Sequence, residues 1–139
     1  MKALSIKQPW LWAIICAGKN VENRSWKTKY RGWIALHASA KPVPLGDFEM
    51  PRGVHCPDLK SLDFSAICGI ARLVDIRTSI RSKWFYRPGR GQVSYGWVLE
   101  DVIQLKRPIA CTGSLGVWTV SPRVRRAIQR QLPRVTFDD

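Results

Sequence analysis

An ammonium, a carboxylate and a guanidinium fall within six residues of this chain, at Lys19, Glu22 and Arg24 of the stretch Gly18-Lys19-Asn20-Val21-Glu22-Asn23-Arg24. If the chain after Gly18 is extended, Glu22 and Arg24 point to one face about 6.6 Å apart, and Lys19 reaches over from the turn. Such a trio can grip a base edge and a phosphate together. The carboxylate would accept from amino or imino groups, and the cations would pair with phosphate or carbonyl oxygens. The same cluster would also suit a solvated or salt-bridged surface, so its setting decides. For an enzyme, Glu22 would be the general base and Lys19 a fixed positive charge stabilising an oxyanion. Arg24 favours a neutral Lys19 and Glu22 a charged one, and a charged Lys19 is expected.

Aromatic and polar side chains near this stretch extend the candidate site. Trp10, Trp26 and Trp97 could each offer a stacking face, worth about 1–3 kcal/mol per base; Trp10, like Trp33 and Trp118, also reads as core. His37 is either a general acid or base or a hydrogen-bonded structural residue. Gln8 and Ser39 are either polar ligand contacts or cap and turn residues. Residues 79–91 form a basic, aromatic and mobile loop in which Arg81, Lys83, Arg87 and Arg90 surround Trp84, Phe85 and Tyr86. Together with Arg123, Arg126 and Arg130 near the end of the chain, these cations outline a footprint for phosphates, with a merely solubilising basic surface as the alternative. Interleaved aromatics favour single-stranded RNA.

Charge balance agrees. Across 139 residues, 23 Lys and Arg stand against 10 Asp and Glu, a formal charge of +13 with a pI near 10.3. So large an excess points to a polyanionic partner, nucleic acid first. A membrane partner is not expected, because no long basic amphipathic helix dominates and the apolar run Trp10 to Ala17 is too short to span a bilayer. That run also makes a poor signal peptide, so an intracellular, cytoplasmic protein is expected, with a nuclear one left open. Cys16, Cys56, Cys68 and Cys111 are widely spaced without a C-x-x-C pair, which gives no metal site. Cys16, Cys68 and Cys111 read as buried, unreactive thiols. No cofactor is implied, since a phosphate-cradling glycine loop and a nucleophile elbow are both missing.

The elements that must position the trio follow from periodicity. Leu4 and Ile6 begin a short first strand, and a two-turn helix follows with Pro9 at its first position and Gly18 as C-cap. Residues 30–39 form a central strand. Prolines at 42, 44, 51 and 57 make 40–63 a long irregular loop with at most one helical turn, of the kind that serves as a lid or binding loop. Strands are predicted over 65–77, with Gly69 at a bulge or at the bend of a barrel wall, and over 95–105 and 116–120. Ser121-Pro122 opens a basic terminal helix near 122–132, with Val124, Ile128 and Leu132 on its apolar stripe. The length suits one domain, 1–139. The fold class is α+β, a small, mostly antiparallel β-barrel with flanking helices.

Lys19, Glu22 and Arg24 carry the K-x-x-E-x-R portion of a G-x-K-x-x-E-x-R pattern. With Leu4-Ser5-Ile6-Lys7-Gln8-Pro9-Trp10, Glu22-Asn23-Arg24-Ser25-Trp26, Tyr30-Arg31-Gly32, Leu36-His37-Ala38-Ser39, Tyr95-Gly96-Trp97-Val98-Leu99 and Gly113-Ser114-Leu115-Gly116-Val117-Trp118, the chain resembles the small stand-alone proteins of the ASCH domain family within the PUA-like superfamily. The resemblance implies a PUA-like barrel with a cleft where the first helix, the charged motif and neighbouring loops meet. It adds Arg31 and Tyr95 to the candidate ligand contacts. It also implies RNA binding, although relatives include a ribonuclease and an acetylcytidine amidohydrolase. The amidohydrolase pattern carries a threonine where this chain has Glu22, while its lysine and arginine match Lys19 and Arg24.

The expected function is an RNA-binding module that takes single-stranded RNA or a modified nucleotide in the cleft. A hydrolase acting on RNA or a modified nucleoside, with Lys19 and Glu22 catalytic, is the alternative. A protein-interaction adaptor using the proline-rich loop is the second.

Overall fold

The computed structural model describes residues 1–138. Its strands are β1 (Lys2–Ile6), β2 (Val21–Arg24), β3 (Gly32–Ala38), β4 (Ala66–Arg77), β5 (Tyr95–Ala110) and β6 (Val117–Thr119), and its α-helices are α1 (Trp10–Cys16) and α2 (Pro122–Gln131). One mixed sheet runs β2-β5-β4-β3-β1-β6. The β1–β3 pair is parallel and the other neighbours are antiparallel. The fold is thus α+β with a curled, barrel-like sheet, as the sequence led us to expect. Between β3 and β4, and at three places between β4 and β5, the register slips, and each slip adds local twist and bend. Gly69 sits at one of them. A Cβ there would lie 2.7 Å from the Ile103 carbonyl oxygen, so the close approach of the two strands requires glycine. These bends carry β5 on past the Leu105 expected from its pattern to Ala110.

Curling brings distant strands together. Although β5, β4 and β3 separate β2 from β1 in the sheet, the Arg24 guanidinium on β2 donates to the Ser5 carbonyl oxygen on β1 at 2.8 Å. That bond marks the seam of a half-barrel.

Alternation along the strands splits the core into two layers. Leu4 and Ile6 of β1 and Ile34 and Leu36 of β3 pack with Leu11 and Ile14 of α1. Ala3, Ala35, Ile67 and Ile70 face the other way and pack with Val124 and Ile128 of α2. The helices therefore cover opposite faces of the sheet.

Caps define both helices. In α1 the Gln8 carboxamide accepts from the Trp12 backbone N–H at 2.8 Å, and Pro9 lies at the cap instead of the first helical position. Gly18, at φ +75°, takes the left-handed turn that ends α1. Ser121 Oγ accepts from Val124 N–H at 3.2 Å and caps α2. Residues 40–63 are irregular apart from a 3-10 turn at Leu59–Ser61. Gln8 anchors this loop at both ends, donating to the Asp63 carbonyl and accepting from Val43 N–H. No helix among the described residues is long and apolar enough to cross a membrane.

Ile128 is the fully buried anchor of α2. Ile128→Ala should lower unfolding free energy by about 2–5 kcal/mol, read from the shift of a urea midpoint at unchanged slope.

Candidate functional site

Because Gly18 turns the chain sharply, Lys19 N–H bonds back to the Ala13 carbonyl and the lysine side chain is folded in beside β2. Gly18 immediately precedes Lys19, one residue nearer than G-x-K would require. Lys19 Nζ donates to the Val21 carbonyl at 2.6 Å and to Glu22 Oε1 at 2.7 Å. Arg24 binds the other carboxylate oxygen, Nε at 3.2 Å and Nη2 at 3.0 Å. Lys19 is 3 % exposed and Glu22 6 %. Burial pushes the Glu22 carboxyl up, but Lys19 and Arg24 together outweigh it and hold the group below its ordinary value. The trio is a buried ion network of net charge +1. Among the described residues two of the three Lys19 Nζ hydrogens have hydrogen-bond acceptors, and the Trp10 ring lies 5.5 Å from Nζ.

This network floors a cleft of about 530 Å³. Trp10 and Phe48 line it, packed edge to face at 6.1 Å; the exposed Asp47 and Glu49 flank Phe48, and Lys83, Trp84, Phe85 and Tyr86 complete the lining. Tyr86 is 58 % exposed, whereas Trp84 and Phe85 are buried against Ala13 and Val21. The loop carrying them, expected to be mobile, is hooked to β2. Asn23 Nδ2 donates to the Trp84 carbonyl at 2.8 Å, and Asn23 Oδ1 accepts from Tyr86 N–H at 2.9 Å. Sequence reasoning missed Phe48, Asp47, Glu49 and Asn23 as site residues. The proline-broken length of the 40–63 loop was the available signal for the first three.

Several candidates lie elsewhere. Trp97 is fully buried in the core, its Nε1–H donating to the Trp26 carbonyl at 3.2 Å, and so has no face to offer a base. Trp26 stacks edge-on against it at 4.8 Å and does not line the cleft. His37 is 2 % exposed. Its Nε2 contacts the Cys111 carbonyl at 2.8 Å, which requires Nε2–H, and Nδ1 lies 3.0 Å from Ser5 Oγ, from which a neutral ring accepts. Trp118 Nε1–H in turn donates to Ser5 Oγ. Both ring nitrogens are spent on the fold, because tertiary closure over a strand histidine is invisible in its own sequence string. Gln8 is likewise committed to the α1 cap and the long loop, and Ser39 follows β3, its N–H bonded to the Ile6 carbonyl. Arg31 and Tyr95 line a separate open hollow with Lys27 and Arg77. Arg24 supports the floor from outside the cleft lining. Arg81, Lys83, Arg87 and Arg90 are exposed near the cleft, and Arg123, Arg126 and Arg130 are exposed on α2.

The thiols divide differently from expectation. Cys68 is buried, and burial pushes its thiol up to about 12. Cys16 is exposed, because the buried side of its helix is formed by Leu11, Ala13 and Ile14, and Cys111 is half-buried. Among the described residues no group of three His, Cys, Asp or Glu could hold a metal ion.

The family model of the ASCH domain matches residues 4–108, from β1 through most of β5. No curated protein matches the chain.

Glu22→Gln removes the charge that compensates two cations, one of them buried, and should cost about 3–5 kcal/mol of unfolding free energy. Glu22 has a folded-state value below its ordinary 4.5. Its contribution is therefore complete above that value and is lost as pH falls through the lower, folded one. Urea titrations between pH 3 and 7 should show an acid limb in the parent that is shallower in Glu22→Gln.

Proposed function

The chain belongs to the ASCH domain family, and we propose that it is an RNA-binding module receiving one nucleotide of a single strand, modified or not, in the cleft above Lys19 and Glu22. That family is generally linked to RNA binding. The observation carrying this reading is a buried, internally neutralised Lys19–Glu22 pair that lines one cleft together with Trp10, Phe48 and Tyr86. A flat base fits between aromatic walls, where stacking is worth about 1–3 kcal/mol. The third Lys19 N–H donates to a base carbonyl, while Asp47 and Glu49 accept from exocyclic amino groups. Lys83, with Arg81, Arg87 and Arg90 beyond it, meets the flanking phosphates. Arg24 positions Glu22 without touching the nucleotide.

For the hydrolytic alternative, Glu22 would have to take a proton near neutral pH. A carboxylate held low by two cations is a weak base there. The adaptor alternative needs the proline-rich loop as a free docking segment, and that loop is engaged in walling the cleft. Binding is the reading we adopt, in an intracellular, cytoplasmic setting consistent with four free cysteines.

Titrating the protein with short single-stranded RNA should quench tryptophan fluorescence. The log–log salt slope should be near −0.7 per phosphate contacted. Tyr86→Ala should weaken binding roughly 5- to 150-fold. A salt-independent titration, or a Tyr86→Ala protein binding as the parent does, would remove the cleft from the account.

A further inference from the structure

Residues 102–137 contain seven Lys and Arg and no Asp or Glu. The fold gathers most of these cations around α2. Arg123, Arg126 and Arg130 recur at helical spacing on its outer side, all exposed, and span about 10 Å along the axis at 1.5 Å per residue. A groove of about 410 Å³ between α2 and β5 adds Lys106 and Arg107 to Arg130. The Gln131 carboxamide fixes its width, bonding both the Arg107 N–H and the Arg107 carbonyl.

Two properties distinguish this surface from the cleft. Its cations are uncompensated: among the described residues Lys106, Arg107, Arg126 and Arg130 form no ion pair, whereas Lys19, Arg24, Arg72 and Arg77 all do. It also offers no stacking platform, since the nearby Phe137 is buried with the Arg125 guanidinium 5.0 Å above its ring. The sheet separates it from the cleft, because α2 packs on Ala3, Ala35, Ile67 and Ile70 while α1 packs on the opposite layer.

We propose that the outer face of α2 and its groove with β5 form a second nucleic-acid site, which binds the sugar–phosphate backbone of a duplex without reading bases and independently of the cleft. Unpaired guanidinium groups without an exposed ring suit phosphates and give no preference for unstacked bases. With a cleft for a single-stranded nucleotide on one face and a backbone site on the other, the protein can hold two segments of one nucleic acid at once, gaining affinity by effective concentration.

The test uses the full chain and a blunt-ended DNA duplex as probe. Arg123→Gln/Arg126→Gln/Arg130→Gln should keep the parent melting temperature and lose about 2.7 from the log–log salt slope, three phosphates at about 0.9 each. A Lys106→Gln/Arg107→Gln variant on the strand side should lose about 1.8 and keeps the test open if the helix variant does not fold. Tyr86→Ala should leave duplex binding at parental strength. An unchanged duplex slope in both arginine and lysine variants would overturn the proposal. So would displacement of duplex by a mononucleotide, or retention of polyglutamate with no retention of duplex.

Discussion

A carboxylate almost wholly buried and clasped by two cations is what the rest of this molecule is arranged around. Glu22 alone in that position would be protonated or would pull the structure open. Lys19 arrives because Gly18 turns the chain back on α1, and Arg24 arrives because a strand places alternate residues on one face. Arg24 then spans the gap between β2 and β1 to reach the Ser5 carbonyl. One electrostatic cluster thus floors the cleft and fastens the seam of the half-barrel. Burying such a network need not add net stability; what it supplies is a fixed geometry, since removing any member strands the others.

Net charge and local charge part company here. The chain carries +13, yet its deepest ionic site is nearly balanced and two acidic residues stand on the cleft rim. Much of the excess lies outside, including on the 81–90 loop and on α2. On the proposed reading, attraction over distance falls to exposed arginines and discrimination at contact to a compensated pocket among rings.

Much of this was readable in the sequence. Ser121-Pro122 and the Val124/Ile128 spacing located α2, because caps and amphipathic stripes are local signals. Glu22 and Arg24 shared a face as the two-residue strand period requires. What failed was long-range. Trp97 and His37 sat in strings that looked functional, but whether a strand residue faces core or ligand depends on what closes over it, here Trp26 for one and the Ser5, Cys111 and Trp118 groups for the other. Phe48 was lost in a segment without periodicity, where no pattern announces which residue turns inward. Cys16 misled in the opposite sense, since apolar neighbours in sequence are not neighbours in space once a helix rotates them by 100° per residue.

Asn23 lies between Glu22 and Arg24, and its one carboxamide holds the aromatic loop by two bonds to the Trp84–Tyr86 backbone. The aromatic jaw and the ionic floor are consequently referenced to the same short strand. When β2 shifts, both shift with it, so the spacing of the Trp84–Tyr86 segment from the Lys19–Glu22 pair is set by a single four-residue strand.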